Sequence, residues 1–245
     1  MLVMGILNVT PDSFADGGKH NDFESAVARG LEMIAEGVDI IDIGGESTRP
    51  GADRVSEEEE IARTIPVITE LAKHGVKISI DTMRASTAKA AIDAGASIIN
   101  DVSGGLADSL MLQTAAALKV PYIAMHWRGQ SKDMNSMAIY GDVVSDVISE
   151  LQERVDAALD AGITAENLII DPGLGFAKDA DHNWAIIDAI DQFVALGYPV
   201  LVGASRKRFL GGDTPDEREQ ATIDLTKRLA PTGVWAVSDH SVKPH

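Results

Sequence analysis

Short apolar runs rich in Ile and Val alternate along this chain with longer segments in which apolar residues recur every three or four positions. The short runs are typical of strands buried on both faces, and the longer segments are typical of helices that cover a sheet. Eight strands are predicted on this basis. They are Leu2 to Leu7, Val38 to Ile43, Val76 to Ile80, Ser97 to Ile99, Tyr122 to Met125, Leu168 to Ile170, Val200 to Val202 and Val234 to Val237.

Seven helices are predicted between these strands. They are Phe23 to Glu36, Glu57 to His74, Ser86 to Ala94, Leu110 to Leu118, Val143 to Ala161, Asn183 to Leu196 and Glu217 to Leu229. Glycine follows several of them as a C-cap, at Gly37, Gly75, Gly95, Gly162 and Gly197. This alternation favours an α/β fold of the (β/α)8 TIM-barrel class over an open sheet, whose edge strands would be more polar. Because no linker interrupts it, residues 1–245 are expected to form a single domain.

Composition narrows the class of protein. The 245 residues are 45% hydrophobic and 24% charged, as in a soluble globular domain that buries a full core. The formal net charge of −17 argues against a nucleic-acid partner, and the absence of cysteine excludes disulfides and thiolate metal sites. No apolar run approaches the roughly 20 residues that span a bilayer. Met1 leads directly into a strand with no secretory signal, so a cytoplasmic location is expected.

Polar side chains stand at or near the ends of all eight predicted strands, where the active sites of such barrels lie. They are Asn8, Asp42, Asp81, Asn100 with Asp101, His126, Asp171, the cluster from Ser205 to Arg208, and His240. A single residue of this kind is often only a helix N-cap. Eight together predict a site whose carboxylates and amides suit a flat polar heterocycle, with Arg49, Lys207 and His240 available for anions.

Three consecutive cations, Arg206, Lys207 and Arg208, follow the seventh predicted strand of this acidic chain. Cations concentrated at a strand end usually hold an anion there. The alternative is a solvated basic turn that leads into a helix.

Seven sequence strings carry a resemblance to a known family. They are Met4 to Phe14 with Asp16-Gly17-Gly18, Asp42 to Gly51, Ser79 to Thr82, Ile99 to Gly105, Met125-His126, Asp171 to Phe176 and Gly203 to Gly211. In these strings and in their order the chain resembles the dihydropteroate synthases over nearly its whole length. The resemblance implies a transferase that condenses 6-hydroxymethyl-7,8-dihydropterin pyrophosphate with 4-aminobenzoate, giving 7,8-dihydropteroate and pyrophosphate.

The resemblance also implies a pterin pocket made of Asp81, Asn100, Asp171 and Lys207, with Met125 as its apolar wall. Carboxylates and amides would match the donors and acceptors on the pterin edge. The alternatives are that Asp81 and Asp171 cap helices, for which Pro172 after Asp171 would suit a first helical position, and that Met125 only fills the core.

By the same resemblance, Asn8 would be the protein ligand of a Mg2+ cofactor, and the pyrophosphate would be held by Asn8, Thr48, Arg49 and His240. Pyrophosphate leaves readily only if its growing charge is neutralised, and Mg2+ prefers oxygen ligands. The residues assigned to catalysis are Lys207, Arg49, Asp81 and Asp171.

The aminobenzoate site would lie between two loops, residues 8–18 and 46–53. By resemblance it is lined by Pro50, Phe176, Ser205 and Lys207. Ser205 would bond the benzoate carboxylate and Lys207 would contact both substrates. Phe176 follows two loop glycines, although it could instead be a core aromatic.

Two features depart from the family. Its last strand usually ends in Arg-x-His-Asp, whereas this chain has Ser238-Asp239-His240-Ser241, which keeps the histidine and lacks the arginine. The sequence ends at His245, where the family continues into an eighth helix, so the final helix is expected to be missing. The family's helical surface for a homodimer would then be reduced. One alternative is a non-catalytic pterin-binding paralogue that keeps the Asp81, Asn100 and Asp171 pocket. A weaker alternative is the pterin-binding barrel of a methyltetrahydrofolate methyltransferase, which shares the pterin carboxylates, although the strings Ser205 to Arg208 and Ser47 to Pro50 argue against it.

Overall fold

A computed structural model describes residues 1–10, 19–47, 54–130, 132 and 134–243, with no description of the side chains of residues 19–22 and 135. Eight parallel strands form one sheet. They are β1 (Leu2–Asn8), β2 (Ile40–Gly44), β3 (Lys77–Asp81), β4 (Ile98–Asp101), β5 (Tyr122–Met125), β6 (Leu168–Asp171), β7 (Leu201–Gly203) and β8 (Ala236–Asp239). All eight predicted strands are confirmed.

Helices follow the strands in the predicted alternation. They are α1 (Lys19–Glu36), α2 (Glu57–Ala72), α3 (Ala85–Asp93), α4 (Met111–Leu118), α5 (Val143–Asp160), α6 (Ala180–Asp188), α7 (Ile190–Val194) and α8 (Glu219–Leu229). The single helix predicted from Asn183 to Leu196 is wrong, because Ala189 adopts φ −106° and ψ 19° and separates α6 from α7. All five predicted C-cap glycines have positive φ angles. None of the described helices is long and apolar enough to cross a membrane.

The sheet closes into a barrel. Its strands are ordered β6-β5-β4-β3-β2-β1-β8-β7, and within the described residues the two outer strands are joined by one parallel bridge, Ile170 to Val200. We call this junction of β6 with β7 the seam. No helix follows β8 in the part of the chain that the structure describes, which ends at Lys243.

Side chains alternate between the barrel interior and the outer layer of helices, as the pleat of a strand requires. The outward set, which includes Ile41, Ile80 and Ile170, packs beneath the helices in the main hydrophobic core. The inward set begins at the amino ends of the strands with a second apolar cluster. Its buried members are Met4, Ile40, Ile98, Ile123, Ile169, Leu201 and Ala236.

Seven of the strands extend one or two residues beyond their predicted carboxyl ends. Asn8 still pairs with Gly44, Gly44 with Asp81, and Asp81 with Asn100. The prediction stopped early because polar residues are typical of loops. Because these residues belong to the sheet, their side chains are held by rigid strands at the barrel mouth.

Candidate active site

The floor of the barrel mouth is a buried carboxylate and amide pair. Asn100 Nδ2 donates a 2.9 Å hydrogen bond to Asp42 Oδ2. Their strands β2 and β4 are separated by β3, so the bond crosses the interior above Ser79. Asp42 Oδ1 and Ser79 Oγ are buried without a well-formed hydrogen bond among the described residues, although Ser79 lies near enough to Asp42 to lower the pKa of its carboxyl. Buried polar atoms normally have partners, so the floor retains acceptor and donor capacity for a ligand or an ordered water.

Asn8 and Asp81 face each other across Gly44 at the carboxyl ends of β1, β2 and β3. A Cβ atom added to Gly44 would stand 3.4 Å from Asp81 Oδ2 and 3.7 Å from Asn8 Oδ1. The helix-cap alternative for Asp81 is excluded, because α3 begins after Arg84, which is its N-cap. The Asp81 carboxyl is therefore directed to the barrel mouth and is partly exposed there.

Asp171 and Lys207 meet beside β7. A Cβ atom on Gly203 would lie 3.8 Å from Lys207 Nζ, 4.0 Å from Asp171 Oδ2 and 3.9 Å from Ser238 Cβ. These are ordinary van der Waals distances, so both groups line the space directly beside Gly203. The interpretation of Asp171 as a helix cap is wrong, because α6 begins eight residues after Pro172; Asp171 Oδ1 instead accepts from Gly173 N at 2.7 Å.

The carboxyls at the mouth are crowded and largely removed from water. Burial is the main cause that raises the pKa of Asp42 to about 6, against the lowering effect of Ser79 and Asn100 and with a smaller contribution from the Asp171 carboxylate. Burial also raises the pKa of Asp81 well above its usual value, with the Asp42 carboxylate as the next cause. Burial raises the pKa of Asp171, against the opposing charge of Lys207. Burial likewise lowers the pKa of Lys207 to about 8. Ligand N–H groups would relieve this crowding of acceptors.

An apolar wall stands beside these groups. Met83, Val102 and Met125 form a buried cluster, and Phe176 and Trp127 pack against it. Lys207 Nζ lies 4.9 Å from the centre of the Phe176 ring and donates to the Leu174 carbonyl. Phe176 lies in a loop and is partly buried, so its ring joins the wall to the ammonium.

Of the three consecutive cations, only Lys207 points into the mouth. Arg206 Nε pairs with Glu219 at 2.9 Å, and its second nitrogen bonds Ser241 Oγ at 2.9 Å. Arg208 is exposed. The prediction of one anion site built from all three is therefore wrong, because successive residues of a turn point in different directions.

Two other strand-exit residues face the outer layer rather than the interior. Asp101 bonds the hydroxyls of Ser103 and Tyr122 at 2.6 and 2.8 Å. His126 is buried and its Nε2 lies 2.9 Å from Glu150. Both residues stabilise the structure beneath the mouth.

Ser205 and His240 are bonded to each other. Ser205 Oγ donates to Asp239 Oδ1 at 2.7 Å and lies 3.0 Å from His240 Nδ1. Since the serine proton is on the Asp239 side, His240 Nδ1 is the donor in this contact. The Ser205 hydroxyl is buried in this network, and its predicted bond to a benzoate carboxylate stays a prediction.

Thr48, Arg49 and Pro50 lie outside the described residues. Both flanks of their segment are anchored to Arg84, which donates to Glu46 Oε2 at 2.9 Å and to the Val55 carbonyl. Arg84 also pairs with the buried Glu60 at 2.5 Å. Sequence analysis did not identify Arg84 as an anchor, because the hydrophobic pattern does not show which acidic and basic residues form ion pairs.

Comparison with known proteins agrees with this geometry. Residues 4–240 match the pterin binding enzyme family. The dihydropteroate synthase of Bacillus subtilis is 50% identical over 246 residues, which cover 99% of this chain and 84% of that protein. The dihydropteroate synthase of Mycobacterium leprae is 48% identical over 251 residues, covering 98% of this chain and 88% of that protein.

Solved structures give the same result. Dihydropteroate synthase from Xanthomonas albilineans with 4-aminobenzoic acid has a TM-score of 0.93 and 43% identity, covering 99% of this chain and 88% of that chain. The Yersinia pestis dihydropteroate synthase in a complex with a sulfonamide drug has a TM-score of 0.93 and 38% identity. The match covers 99% of this chain and 90% of that chain. All four of these relatives are named dihydropteroate synthases, and none is named a methyltetrahydrofolate methyltransferase. The chain therefore belongs to the pterin binding enzyme family, within its dihydropteroate synthases, which are transferases.

Proposed function

We propose that this protein joins 6-hydroxymethyl-7,8-dihydropterin pyrophosphate to 4-aminobenzoate, releasing pyrophosphate and giving 7,8-dihydropteroate. The observation that carries the proposal is the position of Lys207. Its ammonium lies 4.9 Å from the centre of the Phe176 ring, and its charge opposes the increase that burial causes in the pKa of the Asp171 carboxyl, so it stands where a polar pocket meets an aromatic loop. A single cation can therefore contact both substrates.

The pterin is assigned to the pocket of Asp81, Asn100 and Asp171, with Met125 against its face. The amino and ring N–H groups of a pterin would donate to the carboxylates, and each charge-assisted bond is worth about 1.5 to 3 kcal/mol. The Asn100 amide is oriented for this role, because its nitrogen is already bonded to Asp42.

Pyrophosphate is assigned to Asn8, Thr48, Arg49 and His240. Asn8 presents an amide oxygen, which is a ligand type that Mg2+ accepts. No group of three or more His, Cys, Asp or Glu side chains that could hold a metal ion occurs among the described residues. Mg2+ usually keeps waters and phosphate oxygens as its other ligands. Bound Mg2+ would neutralise charge on the leaving group.

Bond changes balance without an enzyme nucleophile. The C–O bond of the pterin methylene breaks and its electron pair leaves with pyrophosphate, while the aniline nitrogen forms the new C–N bond and loses a proton to water. A neutral aniline is already nucleophilic, so its orientation by Phe176, Pro50, Lys207 and Ser205 is the contribution that the protein makes.

The test is a mixture of purified protein, the pterin pyrophosphate, Mg2+ and 4-aminobenzoate, with release of pyrophosphate and formation of 7,8-dihydropteroate measured together. We expect equal amounts of the two products, and none when 4-aminobenzoate is omitted. Pterin binding without either product would contradict the proposal and favour a non-catalytic paralogue.

A further inference from the structure

Lys178 is a buried lysine whose ammonium meets no carboxylate among the residues that the structure describes. Its side chain is only 8% exposed. Its Nζ donates to His126 Nδ1 at 2.8 Å, to the Gly173 carbonyl at 3.0 Å and to the Phe176 carbonyl at 3.0 Å. An ammonium has three donors and no acceptor, so these three acceptors saturate it.

This arrangement also fixes the state of His126. Because Nδ1 accepts from Lys178, the ring proton is on Nε2, which faces Glu150 at 2.9 Å. His126 is therefore neutral, and Arg128 completes the cluster through its own bonds to Glu150. Burial lowers the pKa of Lys178 to about 7, and the Gly173 and Phe176 carbonyls are two of the three acceptors that stabilise its charged form.

The loop from Asp171 to Lys178 needs such support, because its backbone adopts unusual conformations. Gly173 and Gly175 have φ angles of +68° and +78°, and Ala177, which has a side chain, has a φ angle of +48°. A left-handed backbone is unfavourable for a residue other than glycine, so it persists only where its surroundings fix it. Tyr140 contributes by donating to the Ala177 carbonyl at 2.9 Å.

The same loop is held from the opposite side by Lys207. Its Nζ donates to the Leu174 carbonyl, and the Phe176 ring lies 4.9 Å from that nitrogen. Gly173 and Phe176 thus direct their carbonyls outward to one lysine, while Leu174 directs its carbonyl inward to the other. Further bonds from Phe176 N to the Gly173 carbonyl at 3.1 Å and from Gly175 N to Asn183 Oδ1 at 2.7 Å also hold the loop, and Lys178 is the side chain that joins the two outward carbonyls.

We propose that Lys178 is a positioning residue for the aminobenzoate side of the site, holding the Asp171 to Lys178 loop so that Phe176 and the Leu174 carbonyl stay against Lys207. The inference rests on the proposed function for the role of Phe176. Burying an ammonium costs several kcal/mol unless it is well bonded, and here its bonds go to the loop.

The first test is Lys178→Met, which keeps the length of the side chain and removes its donors. We expect the KM for 4-aminobenzoate to rise about tenfold or more, because misplacing a substrate-positioning group by about 1 Å has effects of this size or larger. The affinity for the pterin pyrophosphate should fall less than the affinity for 4-aminobenzoate, since Asp81 and Asn100 lie on β3 and β4, and only Asp171 of the pterin pocket belongs to the loop that Lys178 holds. Lys227→Met, at an exposed lysine of α8, is the matched control and should change neither constant.

A chemical rescue distinguishes the effect of the ammonium group of Lys178 from the effect of side-chain packing at this position. The natural chain contains no cysteine, so Lys178→Cys introduces the only thiol and can be alkylated in the unfolded state and refolded. Aminoethylation restores an ammonium at nearly the original length, and S-propylation gives the same length without donors. The KM for 4-aminobenzoate should return to within about threefold of the wild-type value only after aminoethylation.

Hydrogen exchange tests the positioning without any substrate. The amides of residues 173–177 should exchange faster in Lys178→Met and in the S-propyl protein than in wild type or the aminoethyl protein. Unchanged exchange and unchanged KM in a folded Lys178→Met protein would overturn the proposal. An equal loss of affinity for both substrates, or failure of every uncharged variant to fold, would overturn it in favour of a purely structural role. Faster loop exchange in a protein whose wild type releases no pyrophosphate would support the positioning and reject only the proposed function.

Discussion

The two ends of the barrel interior are built by the same strands and differ in almost every physical respect. At the amino end, Met4, Ile40 and Ile123 belong to a closed apolar layer. Asp42 follows Ile40 by two positions on β2, and Asp171 follows Ile169 by two positions on β6. The carboxyls therefore face the same interior as the isoleucines, about 7 Å further along the strands. Apolar burial stabilises the fold, whereas burial of carboxyls raises their pKa values and costs stability. The comparison shows how little distance separates the part that stabilises the barrel from the part that recognises a ligand.

Substitution at the amino end should have the largest effect on stability. Ile40→Ala leaves a cavity in a fully buried layer and should lower the free energy of unfolding by about 2 to 5 kcal/mol. Denaturant unfolding measures this loss, and calorimetric titration should find pterin affinity unchanged in the folded protein. Asp81→Ala is the counterpart at the mouth and should weaken pterin binding about tenfold without loss of stability. Reversed results for the two variants would remove the distinction between the ends.

At the mouth, Lys207→Ala should have the largest effect on turnover. It removes the cation between Asp171 and Phe176, and we expect kcat to fall by about 100-fold, as when one preorganised electrostatic group is lost. Steady-state rates and the melting temperature should be measured on the same samples. A large fall in melting temperature with normal turnover would show that Lys207 stabilises the fold and does not contribute to catalysis.

Ser238 tests whether the mouth has lost part of its phosphate site. Its Cβ faces Gly203 close to Lys207, so an arginine there would project into the mouth. Ser238→Arg should strengthen binding of pyrophosphate and of the pterin pyrophosphate by about 1.5 to 3 kcal/mol, since a guanidinium makes paired bonds to phosphate oxygens. Titrations at fixed Mg2+ and salt should show no change for a pterin without phosphates. Equal pyrophosphate affinity in the two proteins would show that position 238 does not reach the phosphates.

The smallest expected effect concerns how the stability of the protein depends on pH, because His126, which faces the outer layer, and Asp42, in the barrel interior, should act in opposite directions. Burial, followed by the Lys178 charge, lowers the pKa of His126 from 6.5 to about 4. Between these values the unfolded chain binds a proton that the native chain does not, so His126 makes stability fall as pH falls from 6.5 to 4. Asp42 acts oppositely, because its pKa rises from 3.8 to about 6 and the native state binds the extra proton in that window.

The measurement is the free energy of unfolding of wild type and His126→Gln between pH 7 and pH 4. The variant should lose less stability on acidification, because the histidine contribution is absent while that of Asp42 remains. Parallel curves would show that His126 is not held neutral in the native state.

Sequence reasoning predicted the fold well and the site only partly. Strand alternation and C-cap glycines gave the barrel, because these are local patterns that each element repeats. The strand ends were placed too early because Asn8, Asp81 and Asp171 are polar residues inside strands. The split of α6 from α7 at Ala189 was missed, since alanine carries no signal for a break.

Side-chain direction at the mouth could not be predicted from residue type. Arg206 and Lys207 are adjacent cations, yet one pairs with Glu219 outside the mouth and the other faces Asp171 inside it. Ser205 was expected to meet a carboxylate of the substrate, and its bond in the structure is to the carboxylate of Asp239. Such partners are decided by contacts between distant segments, which a linear pattern does not encode.

The seam has a mechanical consequence. Ile170 and Val200 form the one bridge between β6 and β7 in the described chain, so little backbone bonding resists separation of these strands. Asp171 stands on one side of that junction and Lys207 follows the strand on the other, with the Lys207 bond to Leu174 passing across it. At the carboxyl ends of its strands, the seam is therefore closed by the groups that are proposed to contact both substrates. A ligand that binds these groups would also join β6 to β7, so binding at the mouth would strengthen the closure of the barrel.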